Sequence, residues 1–155
     1  MEDQRPYHLL FVCTANICRS PMAEGLAQDY SRRRGWAVEC RSGGLMGLID
    51  KAAAKNAVRV LKEINIDIGN HCSGGVTNEM VEWADHILVM ELRHAISLRK
   101  RHSDLGSKVL QLGSFGGMVE VQDPVGGWRW KFRQSRDDIQ RCVEAFMDNL
   151  PPRLL

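Results

Sequence analysis

Cysteine and arginine stand six positions apart in the segment 13–20, which reads CTANICRS. A cysteine thiolate is a strong nucleophile, and the planar guanidinium of arginine can hold two oxygens of one phosphate group. Backbone N–H groups of a short loop that leads into a helix can surround the same anion. The spacing therefore predicts attack by Cys13 on phosphorus held by Arg19. The residues predicted to surround the phosphate are Thr14, Ala15, Asn16, Ile17, Cys18 and Arg19.

A phosphate ester also needs an acid, because an alkoxide or phenolate leaves slowly unless it is protonated. Asp123 is the best candidate, since Pro124 biases it away from helix and Gly126 and Gly127 permit a tight loop beyond it. The alternative is that Asp-Pro only makes a turn. Our hypothesis is that Asp123 protonates the leaving oxygen and then activates a water molecule.

Hydrophobic patterning predicts the elements that position these groups. The apolar run 8–13 predicts a strand buried on both faces, and Ser20 followed by Pro21 begins a helix that Gly35 ends. Further strands are predicted at 37–41, where a Ser-Gly-Gly sequence ends the strand, and at 86–90, 108–112 and 119–121. Helices are predicted at 52–64, 77–83 and 92–101, and a final one from a capping box at 135–138 to residue 150.

Strands that alternate with helices predict an α/β fold with right-handed crossovers. We expect a single-domain, doubly wound sheet of about four parallel strands flanked by helices, with one domain over residues 1–155 and an ordered core of about 7–150. Ligands of such folds bind beyond the carboxyl ends of the strands. The alternative to a catalytic loop is that the Cys-x5-Arg spacing arose by chance and that Cys13 is a buried structural residue. The position of the loop between a strand and a helix favours catalysis.

Composition excludes several classes of protein. The chain has 155 residues, with 21 Lys and Arg against 19 Asp and Glu, so broad nucleic-acid binding is not expected. No apolar run is long enough to span a membrane, and the beginning MEDQRPYHLL lacks the pattern of a signal peptide. Five cysteines without a C-x-x-C pair indicate reduced thiols, which favours the cytoplasm, although secretion without a signal peptide stays open. The histidines show no metal-ligand spacing, so neither a metal nor another cofactor is expected.

Residues 10–24, LFVCTANICRSPMAE, resemble the signature loop of the low-molecular-weight protein tyrosine phosphatases. The resemblance continues through the Ser-Gly-Gly sequence at 42–44, His71, residues 85–90 and the Asp-Pro-Val-Gly-Gly sequence at 123–127. It implies hydrolysis of phosphotyrosine in a protein substrate through a phosphocysteine intermediate, without a cofactor. The matched residues are the nucleophile Cys13, the phosphate ligand Arg19, the acid Asp123, the loop-shaping Asn16, the thiolate-stabilising Ser20, and the supporting Ser42 and His71.

Two positions bear on the substrate. The family usually has an aromatic residue after Asp-Pro, where this chain has Val125, so Trp128, Trp130 or Phe132 is a candidate for the missing wall of the cleft. The similar protein-arginine phosphatases usually have threonine at the position of Ile17, so isoleucine favours phosphotyrosine.

Several alternatives stay open at this point. They are a protein-arginine phosphatase, an arsenate reductase on the same scaffold, and a phosphate-binding module without catalysis. An arsenate reductase would need two further cysteines close together, whereas here only Cys72 lies near that region and Cys142 is the next one. By resemblance, Cys13 and Cys18 are also candidates for a reversible disulfide that protects the nucleophile.

Overall fold

Strand β1 (Tyr7–Cys13) lies in the middle of the sheet and carries the most buried side chains of the fold. We describe a computed structural model that covers residues 5–155, so the first four residues of the polar N-terminus lie outside the described residues. The other strands are β2 (Val38–Gly44), β3 (His86–Val89) and β4 (Val109–Gln111), all parallel in the order β2-β1-β3-β4. The predicted fold class is confirmed.

Helices cover both faces of this sheet. They are α1 (Arg19–Arg34), α2 (Lys55–Lys62), α3 (Asn78–Trp83), α4 (Leu92–Arg101) and α5 (Arg129–Asp148), with a 3-10 helix at Leu112–Gly116. Alternate residues of β1 point to opposite faces: Leu9 and Phe11 pack with α1, α2 and α5, and Leu10 and Val12 pack with α3 and α4. Among residues 5–155, no helix is long and apolar enough to cross a membrane.

Helix α1 follows the predicted signals closely. Pro21 lies in its first turn, and Met22, Leu26 and Tyr30 form its buried stripe at helical spacing. Gly35 ends the helix with a φ of 66°, a left-handed conformation that glycine adopts without a side-chain clash. The predicted stop at Gly35 is confirmed, whereas the helix begins at Arg19, one residue before Ser20, and Ser20 does not cap it.

Three predicted elements have a boundary that is wrong by three residues or more, and one predicted strand, at 119–121, does not form. Strand β2 continues to Gly44 because that glycine lets the loop after β1 pack against it: an added Cβ would lie 2.8 Å from the carbonyl carbon of Ala15. Helix α2 begins at Lys55, since Ala54 is extended and its N–H bonds to the carbonyl of Ile17. Residues 119–121 form no strand; Val121 makes a single ladder-like bond, from its N–H to the carbonyl of Met90.

The fourth correction concerns the last helix, which begins at Arg129 instead of after the pattern at 135–138. The turn after Asp123 closes with a hydrogen bond from the N–H of Gly127 to the carbonyl of Pro124, and Trp128 is already the N-cap. Ser135 therefore lies inside α5, where its hydroxyl bonds to the carbonyl of Gln122 instead of capping a helix.

Candidate active site

The loop of residues 14–18 leaves the carboxyl end of β1, next to the carboxyl end of β3. Strand β2 lies on one side of β1 and strand β3 on the other. The chain therefore changes direction across the sheet at β1, and the strand order reverses at this point. Crevices at such points are the usual ligand sites of open parallel sheets. The loop after β1, the start of α4 after β3 and the segment before α5 meet here.

The sulfur of Cys13 is buried beneath this loop and has two polar neighbours. The backbone N–H of Asn16 lies 3.3 Å from Sγ, and Ser20 Oγ lies 3.0 Å from it. Because Ser20 Oγ already accepts a hydrogen bond from Asn16 Nδ2 at 2.8 Å, its own proton is free to point at the sulfur. Two hydrogen-bond donors thus converge on Sγ, the predicted nucleophile.

Asn16 organises the loop from a fully buried position. Its backbone has a φ of 60°, in the left-handed region that asparagine tolerates better than most residues. The side chain donates to Ser20 and to Ser42 Oγ at 2.9 Å, and accepts from the N–H of Gly74 at 3.1 Å. His71 Nε2 donates to the backbone carbonyl of Asn16 at 2.7 Å. The structure therefore brings Ser42 and His71 to the loop through one asparagine.

Arg19 is buried, and one side of its guanidinium is fully engaged. Nη1 donates to Glu91 Oε2 at 2.7 Å and to the carbonyl of Val121 at 2.9 Å. Burial by itself would raise the pKa of Glu91, but hydrogen bonds from Arg93 and Arg19 outweigh it and lower that pKa to about 2. Glu91 is thus ionised near neutral pH. On the other side of the guanidinium, Nη2 donates to Thr14 Oγ1 in the loop at 3.5 Å.

Asp123 reaches the same guanidinium from the opposite wall. Its Oδ2 lies 3.6 Å from Arg19 Nη2, and its Oδ1 accepts the N–H of Val125 at 3.1 Å within the turn before α5. The carboxyl group is partly exposed, so a substrate can contact it. Arg19 and Asp123, both predicted from the sequence, therefore meet beside the loop that covers Cys13.

The walls of the crevice differ in part from expectation. Phe132 is 4% exposed and packs in the core, so its predicted role as a cleft wall is wrong; α5 turns that ring inward. Trp128 and Trp130 are exposed instead. Met46 and Ile49 are exposed apolar residues on the segment after β2, and the N–H of Met46 bonds to the carbonyl of Thr14 in the loop.

Sequence reasoning missed a polar group at the start of α4. Glu91 donates its backbone N–H to His94 Nδ1, so the neutral imidazole carries its proton on Nε2 and donates it to Thr14 Oγ1 at 2.9 Å. Arg93 Nη2 donates to the same hydroxyl oxygen at 3.0 Å. The available signal was a Glu-x-x-His capping box directly after a buried strand.

His94 predicts a pH-dependent stability. Burial, and then the nearby Arg19 guanidinium, lower the pKa of His94 from 6.5 to about 4. Between these values the unfolded chain binds more protons, so we expect the unfolding free energy to fall as pH drops from 6.5 to 4, by at most about 3 kcal/mol from this group. His94→Gln, which keeps a donor toward Thr14, removes that part of the slope in urea titrations at each pH. An unchanged slope would contradict this assignment.

The five cysteines are all free in the structure. Burial, and then the charges of Asp123 and Cys13, raise the pKa of Cys18 to about 12. Cys72 is exposed and Cys142 is buried in the core. Within residues 5–155 no three His, Cys, Asp or Glu side chains cluster in a way that would hold a metal ion.

Comparison with known proteins gives consistent matches over nearly the whole chain. The family model described as low molecular weight phosphotyrosine protein phosphatase matches residues 8–153. The chain is 34% identical to a protein-arginine-phosphatase of Bacillus subtilis strain 168, over 92% of this chain and 95% of the relative. It is 32% identical to the low molecular weight protein-tyrosine-phosphatase Wzb of Escherichia coli K12, over 84% and 81%.

Solved structures show the same likeness. The crystal structure of a low molecular weight protein tyrosine phosphatase from T. tengcongensis superposes with a TM-score of 0.89 and 31% identity. The match covers 93% of this chain and 99% of that one.

Proposed function

Because the chain belongs to the low molecular weight phosphotyrosine protein phosphatase family, we propose that it hydrolyses phosphotyrosine in proteins through a phosphocysteine intermediate on Cys13. The observation that supports the proposal is that the Cys13 sulfur lies beneath the loop that leads into Arg19, whose guanidinium lies 3.6 Å from the Asp123 carboxyl group. We assign residues 1–155 to one phosphatase domain with its core at about 7–150. We infer a cytoplasmic location from the five cysteines, which include no C-x-x-C pair.

In the first step the Cys13 thiolate attacks phosphorus in line with the leaving oxygen. A sulfur–phosphorus bond forms, the phosphorus–oxygen bond breaks, and its electron pair leaves with the tyrosine oxygen, which takes a proton from Asp123. Arg19 and the backbone N–H groups of residues 14–19 stabilise the charge on the other phosphate oxygens. Ser20 and the N–H of Asn16 donate hydrogen bonds to the sulfur before attack.

In the second step a water molecule gives a proton to the Asp123 carboxylate and attacks phosphorus. The sulfur–phosphorus bond breaks, its electron pair returns to Cys13 as thiolate, and inorganic phosphate leaves. Glu91 keeps Arg19 oriented through both steps because it holds Nη1 on the side away from the phosphate. The charge of the reacting group is balanced by side chains and backbone donors, so the mechanism requires no metal.

Hydrolysis of phosphoarginine is the second candidate function. The 34% identical relative from Bacillus subtilis is a protein-arginine-phosphatase, and the same nucleophile and acid could cleave a phosphorus–nitrogen bond. Ile17 favours phosphotyrosine, since an apolar, partly buried side chain at the loop offers no hydrogen-bond donor or acceptor to a guanidinium leaving group.

Steady-state kinetics on matched peptides distinguishes the two. We expect kcat/KM for a phosphotyrosine peptide to exceed that for the phosphoarginine peptide of the same sequence by about ten-fold or more, a difference of at least about 1.4 kcal/mol. A phosphoserine peptide, whose short side chain leaves the apolar walls of the crevice unfilled, serves as the control and should react slowest. Faster turnover of phosphoarginine would replace the first candidate with the second.

A further inference from the structure

A shallow, open surface cleft of about 810 Å³ lies between the N-terminal parts of α2 and α5. We call it the α2–α5 cleft. Tryptophan and arginine, together with one asparagine, make up its lining: Asn56, Arg59, Trp128, Arg129, Trp130 and Arg133.

Two chain segments connect the α2–α5 cleft to the surroundings of the phosphate-binding loop. The segment that leads into α2 is tied to the loop, because the N–H of Ala54 donates to the carbonyl of Ile17 at 2.8 Å. On the other side, the turn that begins at Asp123 ends at Trp128, the N-cap of α5. A peptide whose phosphorylated side chain enters the crevice therefore has its neighbouring residues within reach of this cleft.

Two indole rings of the cleft are exposed to an unusual degree. Trp128 is 79% exposed and Trp130 is 57% exposed. Tryptophan and arginine are the residues most enriched among those that dominate binding energy at protein interfaces, because they combine a large apolar face with hydrogen-bond donors. An exposed pair of indoles beside arginines is thus typical of a binding surface.

The charge of the cleft is positive. Arg133 pairs with Glu63 at 2.7 Å, but Arg136 shares that carboxylate at 2.9 Å. Across the part of the chain that the structure describes, Arg59 and Arg129 form no ion pair. Uncompensated guanidinium groups attract carboxylates, so the charge complementarity points to an acidic partner.

We propose that the α2–α5 cleft binds acidic residues next to the phosphotyrosine of a protein substrate. Arg59 and Arg129 pair with aspartate or glutamate side chains, and Trp128 and Trp130 contact the apolar parts of the same segment. This inference rests on the proposed function, because it assigns sequence preference to a phosphotyrosine phosphatase.

Two phosphotyrosine peptides that differ only in their flanking residues test the proposal, one with glutamates and one with glutamines. p-Nitrophenyl phosphate, which has no flanking residues, reports the chemistry alone. At low salt we expect kcat/KM for the glutamate peptide to exceed that for the glutamine peptide by about three- to ten-fold, as exposed charge pairs give. Because salt screens exposed charges, the preference should shrink as ionic strength rises.

Matched variants locate the preference. We expect the double variant Arg59→Gln, Arg129→Gln to lose most of it while turnover of p-nitrophenyl phosphate persists, and Arg99→Gln, an exposed arginine of α4, to keep it. An unchanged preference in the double variant, with intact turnover of p-nitrophenyl phosphate, would overturn the cleft assignment alone. A protein that self-associates in solution and thereby buries Trp128 and Trp130, seen as loss of indole quenching by iodide, would overturn it as well. No turnover of p-nitrophenyl phosphate by the unaltered protein would overturn the proposed function together with the cleft.

Discussion

Cys13→Ser is expected to lower kcat for p-nitrophenyl phosphate by at least about 10⁴-fold, which places turnover at the limit of detection. The sulfur is the only protein atom proposed to bond to phosphorus, and a serine hydroxyl at the same place stays protonated and attacks slowly. The variant should fold, because serine is close to cysteine in volume and Ser20 and the N–H of Asn16 can hydrogen-bond to its oxygen. The measurement is steady-state release of p-nitrophenol, accompanied by thermal unfolding.

Cys72→Ser is the matched control for that change. Cys72 is exposed and lies outside the loop, so we expect its replacement to alter kcat by no more than about two-fold. Full activity of Cys13→Ser would eliminate Cys13 as the nucleophile. A comparable loss in both variants would point to a general effect of removing thiols.

Asp123→Ala is expected to have the second largest effect, a decrease in kcat of about 10² to 10³-fold for phenyl phosphate. Phenolate is a poor leaving group and depends on the proton from Asp123, whereas p-nitrophenolate leaves more readily without help. The loss should therefore be smaller for p-nitrophenyl phosphate than for phenyl phosphate. Inhibition by vanadate should change little, because Arg19 remains held by Glu91 and Val121.

The losses of kcat on phenyl phosphate and on p-nitrophenyl phosphate are compared because only a general acid should matter more for the poorer leaving group. Asp137→Ala, which removes an exposed carboxylate of α5, is the matched control and should leave both rates near their original values. Equal losses on both esters, or a parallel loss of vanadate binding, would show that Asp123 acts on the binding of phosphate instead of on the leaving group.

The identity of the family and the chemistry of the loop were already present in residues 10–24. Cys13, Asn16, Arg19 and Ser20 are close along the chain, so a single strand, turn and helix start fixes their relative positions. Patterning of apolar residues also predicted the parallel sheet, since buried strands and amphipathic helices have different periods. The start of α5 was not predictable in this way, because Ser135 sits in a sequence typical of a helix cap but is buried within the helix.

Only the tertiary structure decided which distant groups join the loop. Glu91 and His94 reach it because β3 lies beside β1 and their carboxyl ends coincide, while Asp123 arrives on the segment that precedes α5. Contacts between the loop and these distant residues depend on the order of the strands in the sheet. The crossover connections set that order, and local residue patterns do not reveal it. The inward turn of Phe132, away from Trp130, was decided by packing against the same sheet.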